Sequence, residues 1–371
     1  MPTDAVLLAR ARSLVPILAA REAAAAAARN VPAETIADLR GAGLLGLLRP
    51  RKFGGQQSSV GIFLETVEIL AGGCASTGWV YGVLAELEWI IACLPEQAQI
   101  DIWGADPEAL AVATTIPSNT ATRTEGGWRF TGRQPFASGC RHAQWVVVGA
   151  SCQDDEPRYL TIPMRDAEIL DDWHVLGMRA TGSFSLMLRD VFVPDHRTVK
   201  ISDVIAGTPP GRLVHPDYAL LRAPRYFLVP FVLPAPAFAL ARKALALVSA
   251  ALRERTLSDA RLLRLGEAAA LIEAGHLIFA ARRTASVALL ESDVPIPEAE
   301  VLRNRRDVVL AFQMIHRGVE LLAGLSGARA VYDDAPLQAI RRDLATIATH
   351  IVVNEEGGMV PYGRFLVRPD R

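Results

Sequence analysis

The sequence predicts a mainly α protein with a central β domain: an N-terminal helical domain, a small antiparallel β domain and a C-terminal four-helix bundle. Three observations carry this. Ala- and Leu-rich runs with charges spaced through them fill the chain up to about residue 110; short β-branched and aromatic runs broken by Gly, Pro and Asp occupy the next hundred; long amphipathic segments make up the rest. With 371 residues the chain also exceeds the roughly 250 to 300 at which one core stops growing. Domains are therefore expected at 1–110, 111–205 and 206–371.

Taken in order, 4–28 combines strong helix formers with an apolar stripe, and Pro32 starts a second helix that closes in the Gly- and Pro-containing turn at 50–55. A third amphipathic helix runs from about 59 to 71. The stretch 76–93 is almost continuously apolar apart from Glu86 and Glu88, so it reads as a buried helix whose two acids need a partner or a cavity. From Ala111 the period changes, and Glu-Gly-Gly-Trp at 125–128 reads as a hairpin turn between strands. A Gly/Pro-containing linker at 206–215 leads into four helical segments, the last being PLQAIRRDLATIATHIVVNEEGG.

Lys plus Arg number 39 against 40 Asp plus Glu, so no global field favours nucleic acid or an anionic membrane, and a small molecule is the expected ligand. The charges that interrupt residues 1–30 fit neither a signal sequence nor a spanning helix. Cys74, Cys93, Cys140 and Cys152 form no CxxC pair, which fits a reduced cytoplasmic setting, inert thiols and no metal site.

One turn stands out. GRQPFASGCRHAQW, residues 132–145, joins a strand-like run to a compact Phe-Ala-Ser-Gly-Cys turn, presenting the small hydroxyl of Ser138 beside backbone that a flat ligand can approach. Read alone, it could equally be a polar turn between two strands.

Five segments in order give it weight: AGLLGLLRPRKFGG; CASTGWVYGVL with PEQAQIDIWG behind it; the turn itself; WHVLGMRATGSFSLMLRDVFVPDHR; and PLQAIRRDLATIATH. With them the chain resembles the acyl-CoA dehydrogenase superfamily over more than 300 residues, and within it the branch of two-component flavin-dependent monooxygenases. The resemblance implies a flavin between the β domain and the bundle, with Phe136, Ser138 and Gly139 at the reactive edge of the ring. It returns the β domain to the flavin at Ser183 and at Arg179, which would meet a phosphate or a substrate anion; the alternative for Arg179 is a surface pair with Asp171 or Asp172. Trp79 matches a position near flavin and substrate, with core packing as its alternative. Gly324 and Ser326 match contacts to the far end of the cofactor, often supplied from a neighbouring subunit.

His350 is the counterpart from the end of the chain. Acyl-CoA dehydrogenases are similar here up to Arg342-Asp343, but their catalytic carboxylate has no match: an apolar run and His350 follow, and Glu355 and Glu356 come about a turn too late. The resemblance gives His350 the task of orienting a substrate hydroxyl or passing a proton, and Ser138 that of steadying an oxygen adduct; a core His bonded to a carbonyl is the alternative. One departure concerns the substrate side. Where phenol hydroxylases of this branch carry a His, this chain has Leu87, followed by Glu88 and Trp89, so the substrate is expected to be non-phenolic or to be activated by Glu86 or Glu88 unless those acids are solvated at a kink.

The implied activity is a monooxygenase that receives reduced FMN or FAD from a separate NAD(P)H:flavin reductase, forms a C4a-(hydro)peroxyflavin with O2, and passes one oxygen to a small, ring-containing substrate. The absence of a GxGxxG fingerprint after any strand argues against NAD(P)H reduction in this chain. The alternatives are an acyl thioester desaturase with a displaced Glu base, and a silent ligand-binding or assembly member of the fold. Apolar bundle faces point to a homotetramer or homodimer.

Overall fold

The computed structural model describes residues 2–153, 155–292 and 294–368, and the side chain of Arg329 is outside the description; Met1 and residues 369–371, the ends of the first and third expected domains, lie outside it too. The chain divides into two compact units. One takes the chain to Thr66, then Val80–His174 and Arg179–Arg225; the other takes Val67–Trp79, Val175–Met178 and the chain from Tyr226 onward.

The first unit opens with α1 (Asp4–Ala28) and α2 (Ala33–Gly41). In α1 the buried positions Leu7, Ala11, Leu14, Leu18 and Ala25 recur every three, four or seven residues, one stripe of a 3.6-residue period. The chain leaves this unit within α3 (Val60–Gly73) and returns within α4 (Ala75–Ala92). From Val80 on, α4 is apolar on nearly every side and is buried accordingly, with Tyr81 donating its hydroxyl to the Leu44 carbonyl at 3.1 Å.

After the short helix α5 (Glu96–Gln99) comes a seven-stranded sheet in the order β5-β6-β2-β1-β3-β4-β7. Its strands are β1 (Ala111–Thr124), β2 (Gly127–Ala137), β3 (Trp145–Cys152), β4 (Asp155–Pro163), β5 (Ala167–Leu170), β6 (Phe184–Pro194) and β7 (Thr198–Lys200). The hairpin turn expected at 125–128 closes β1 onto β2, with Thr124 paired to Gly127. The sheet departs from the antiparallel expectation at one place, because β1 and β3 run parallel. The reason is topological: β2 folds back on one side of β1, the chain crosses over at 138–144, and β3 returns on the other side in the direction of β1. Ala121, Phe130, Val146, Leu160, Phe184 and Leu186 pack its core. Short helices α6 (Ile201–Ala206) and α7 (Gly211–Val214) end this unit.

The second unit is helical. After α8 (Arg225–Leu228) come α9 (Ala235–Leu252), α10 (Asp259–Glu291), α11 (Glu298–Ser326) and α12 (Pro336–Ile347), followed by α13 (Glu355–Leu366). Phe238 of α9 stacks on Phe279 of α10 with centroids 4.1 Å apart. A polar knot fixes α10 against α11: Asn304, fully buried, donates to Ser286 Oγ at 2.8 Å and accepts from Arg282, which also pairs with Glu300 at 2.7 Å. Two helical stretches, Arg225–Leu252 and Glu298–Ser326, are long and apolar enough to cross a membrane by length and composition, and 67% and 50% of their apolar 18-residue windows are buried within the protein.

The fourth expected segment differs from the sequence reading. It breaks after Ile347, because Thr346 and Thr349 turn their hydroxyls back onto the carbonyls of Arg342 and Thr346 (3.0 and 2.8 Å), and the backbone of His350 is extended (φ −78°, ψ 139°). A short 3-10 turn, Ile351–Val353, follows before α13 starts.

Candidate active site

In the first unit, the end of β2 is shaped by one extra residue. Gln134 pairs with Leu186 and Ala137 with Phe184, so Pro135-Phe136 forms a bulge against β6. The bulge drives Phe136 into the left-handed region (φ 65°) and leaves the residue 67% exposed, its ring edge-on to Trp173 at 6.2 Å. Two residues on, Ser138 turns inward. Its Oγ lies 2.7 Å from Ser183 Oγ, which lies 2.7 Å from Thr181 Oγ1, and all three side chains are buried. The Gly139 amide donates to the Thr181 carbonyl at 2.9 Å, tying the turn to the segment before β6. Gly139 has φ +73°, and a Cβ there would lie 2.9 Å from Val80 Cγ1, so the turn must stay thin. An exposed aromatic ring beside fixed buried hydroxyls on a thin turn suits a planar, partly polar ligand such as an isoalloxazine.

Arg179 is exposed at the start of the 3-10 turn Arg179–Thr181, and its carbonyl accepts from Trp173 Nε1 at 3.1 Å. Among the described residues it makes no ion pair: Asp171 is taken by Arg29 at 2.9 Å and Asp172 by Arg133 at 2.6 Å. Asp172 also accepts from the Ser185 amide at 2.9 Å, and despite its partial burial these hydrogen bonds hold its carboxyl down at about 2.

On α4 the two acids are neither solvated nor at a kink. Glu88 pairs with Arg49 at 3.0 Å and accepts from the Leu48 amide at 3.2 Å, while the Arg49 guanidinium sits 5.3 Å from the Trp103 ring. Glu86 faces Arg225 at 3.8 Å, and Arg225 hydrogen-bonds the Tyr159 hydroxyl. Burial raises the pKa of both carboxyls against the pull of their arginines. Glu88 therefore anchors the 47–49 segment. Leu87 and Trp89 are buried at 3% exposure each.

In the second unit, Trp79 meets His350 edge-on, with ring centroids 5.3 Å apart and planes at 84°. His350 Nδ1 accepts from the Val352 amide at 3.3 Å, which caps the 3-10 turn, and burial pushes the imidazole down to about 4. At neutral pH the ring is uncharged with Nδ1 as acceptor, so its proton sits on Nε2. The Asp343 carboxylate accepts from the Met178 amide, fixing the turn at 175–178 onto the start of this segment. Glu355 and Glu356 open α13 and are exposed, and Glu355 is engaged by Gln313.

Gly324 and Ser326 lie in the last turn of α11 rather than in a loop, with Ser326 Oγ donating to the Leu322 carbonyl at 3.0 Å. A helix C-terminus presents carbonyls, so a phosphate there would have to be met by amides of the following turn. The sequence places Thr181 in the Gly/Ser/Thr cluster at 177–183 but gives its hydroxyl no role of its own; the structure joins that hydroxyl to Ser183.

The order of helices, strands and bundle, with a hydroxyl-bearing turn closing β2, defines the acyl-CoA dehydrogenase class of fold, and residues 231–355 match the family described as acyl-CoA dehydrogenase, C-terminal domain. The chain is 33% identical over 349 residues to the oxygenase component of the FADH2-dependent resorcinol hydroxylase of Rhizobium sp. (strain MTP-10005), covering 88% of this chain and 85% of that one. Its structure is similar to the crystal structure of the HsaA monooxygenase from M. tuberculosis, with a TM-score of 0.92 and 29% identity over 98% of this chain and 99% of that one. It is also similar to XiaF from Streptomyces sp. in complex with FADH2 and glycerol, with a TM-score of 0.88 and 27% identity over 99% and 96%. The chain belongs to the two-component flavin-dependent monooxygenases of the acyl-CoA dehydrogenase superfamily. It is an oxidoreductase, an oxygenase component that works with reduced flavin.

Proposed function

We propose that this protein hydroxylates a small aromatic compound, using O2 and reduced FMN or FAD delivered by a separate NAD(P)H:flavin reductase. The observation that carries the reading is His350: an uncharged imidazole, its Nδ1 committed to the Val352 amide, stands where desaturation of an acyl thioester would need a carboxylate. The relatives support the chemistry, since the Rhizobium protein is named for resorcinol and the Streptomyces structure holds FADH2.

Bound reduced flavin supplies the two electrons with which one oxygen atom goes to the substrate and the other leaves as water. The chain's own residues prepare that transfer. Ser138 offers a hydrogen bond to the reacting edge of the ring, held by Ser183, while Phe136 and Gly139 let the ring lie close and keep water away. Arg179, exposed and without an ion pair among the described residues, takes the phosphate or a substrate anion; Gly324 and Ser326 serve the adenine side of the cofactor. Trp79 orients His350, whose Nε2–H donates to the substrate oxygen. Leu87 and Trp89 give the substrate side an apolar wall.

The roles follow the three-domain division at 1–110, 111–205 and 206–371, supported by the confinement of the strands, among the described residues, to 111–200. Assembly as a homotetramer is supported by apolar side chains exposed on the bundle, among them Leu263 (70%) and Leu277 (71%) of α10. A cytoplasmic setting is supported by four cysteines that form no disulfide among the described residues.

Anaerobic titration with photoreduced FMN and FAD, followed by 18O2 and a panel of phenols and other small aromatics, tests the reading. It expects tight binding of reduced flavin and one labelled oxygen in the product. Bleaching of bound oxidised FAD by an acyl-CoA, with no labelled product, would sink it.

A further inference from the structure

The three buried hydroxyls of the first unit form a chain, Thr181 to Ser183 to Ser138, with both oxygen–oxygen separations at 2.7 Å. Three hydroxyls carry three protons, and the two bonds inside the chain use two of them. The third proton leaves from one end. When Thr181 donates to Ser183 and Ser183 to Ser138, Ser138 keeps its own proton for an outside acceptor. When each hydroxyl rotates to the opposite sense, Ser138 offers a lone pair to an outside donor. The switch needs only rotation about three C–O bonds, and Ser183 gives one hydrogen bond and takes one in both senses, so both keep the two bonds inside the chain.

The backbone is built to hold this geometry. The Gly139 amide bonds the Thr181 carbonyl at 2.9 Å, and Gly182, at φ +53°, carries the chain between Thr181 and Ser183 in a conformation that places both hydroxyls on one side. Exposures of 2% for Thr181, 5% for Ser183 and 7% for Ser138 keep solvent from taking over the bonds.

We infer that Thr181 and Ser183 are positioning residues that act through Ser138, letting it alternate between hydrogen-bond donor and acceptor at the reacting edge of the flavin. A ring position that carries a proton in the reduced state and loses it on oxidation presents a donor at one stage and an acceptor at another. A lone Ser would have to find a new partner at each stage. The inference rests on the reading that Ser138 faces the flavin.

The test measures three quantities on the full-length protein: the Kd for reduced flavin under anaerobic conditions, the fraction of consumed O2 recovered as peroxide rather than product, and the melting temperature. The variants are Ser183→Ala, Thr181→Val, Thr181→Ser and Ser138→Ala. The inference expects Ser183→Ala and Thr181→Val to raise the peroxide fraction about two- to tenfold, the factor carried by one hydrogen bond, with reduced-flavin affinity within about threefold of wild type. Thr181→Ser, which keeps the hydroxyl, should couple like wild type. Unchanged coupling in both Ser183→Ala and Thr181→Val, while Ser138→Ala uncouples, would overturn the relay and leave the flavin-facing role of Ser138 standing. Unchanged coupling and affinity in Ser138→Ala would overturn both. A purely structural role would lower the melting temperature in step with uncoupling and would not be rescued by Thr181→Ser. If Ser183→Ala fails to fold, Thr181→Val and Thr181→Ser decide the matter by the same readouts.

Discussion

Replacing His350 with Gln should make the protein less sensitive to acid, and the size of the effect follows from the surroundings of the ring. Burial moves this imidazole from 6.5 to about 4. Between those values the unfolded chain holds a proton that the folded chain does not. Stability is therefore full above about pH 6.5 and is lost as pH falls toward 4. A shift of this size corresponds to about 3 kcal/mol, with a slope of about 1.4 kcal/mol per pH unit in mid-window. The side chain is half-buried, and solvent screening reduces this to about half. Urea unfolding of wild type and His350→Gln at pH 7, 6 and 5 reads the difference directly. Burial also lowers the pKa values of His142, His215 and His276, but wild type and variant share them, so the comparison isolates one residue. The same uncharged ring means that kcat/KM should show no inflection near pH 6.5 belonging to His350. Identical acid sensitivity of the two proteins, or an activity limb near 6.5 that disappears in the variant, would refute the reasoning.

Three further outcomes are expected. Glu88→Ala leaves the Arg49 guanidinium buried without its carboxylate and should cost about 3 to 5 kcal/mol, read as a fall in melting temperature on the order of 10 °C. Gly177→Ala would put a Cβ 2.1 Å from the Arg342 carbonyl oxygen; loss of about 2 kcal/mol or more by denaturant unfolding checks that the 175–178 turn has no room to move. Arg179→Ala should leave stability within about 0.5 kcal/mol because the side chain is exposed and makes no ion pair among the described residues, while weakening reduced-flavin binding severalfold in an anaerobic titration.

The fold was legible because each change of period in the sequence is a change of architecture. The stripe of α1, the saturated burial of α4 and the shift to β-branched alternation at Ala111 all arise from local spacing, and spacing survives folding. The parallel pairing of β1 with β3 was not legible, since it depends on which side of β1 the crossover at 138–144 takes, and no residue in that loop states the side. At the candidate site, Ser138 and Ser183 were legible as separate small hydroxyls. Their bond, and Thr181 beyond it, required the register shift between Gln134 and Ala137, which sets the two segments side by side. The partners of Glu86 and Glu88 were predictable as a need but not by name. Arg49 lies 39 residues before Glu88 and Arg225 far after Glu86, and such pairings are fixed by packing.

Those pairings narrow what the substrate side of α4 can do. An acid that activates a hydroxyl must have its charge available, yet Glu88 spends its charge on Arg49 and the Leu48 amide, and Glu86 faces Arg225. Leu87 between them is 3% exposed and adds no polar atom. If α4 meets the substrate, it does so through shape, and the proposed function then leaves recognition of the substrate oxygen to the Nε2–H of His350, a donor. A donor favours an oxygen that is already an anion or a strong acceptor, so substrates with an acidic hydroxyl should be preferred over those with a weakly acidic one. Leu87→His would restore a second imidazole at that position. Its expected effect is a lower KM for weakly acidic phenols, with little change for acidic ones and with a smaller melting-temperature loss than Glu88→Ala. An equal change in KM across the series would mean that position 87 does not touch the substrate hydroxyl, and that selectivity for acidity arises at His350 alone.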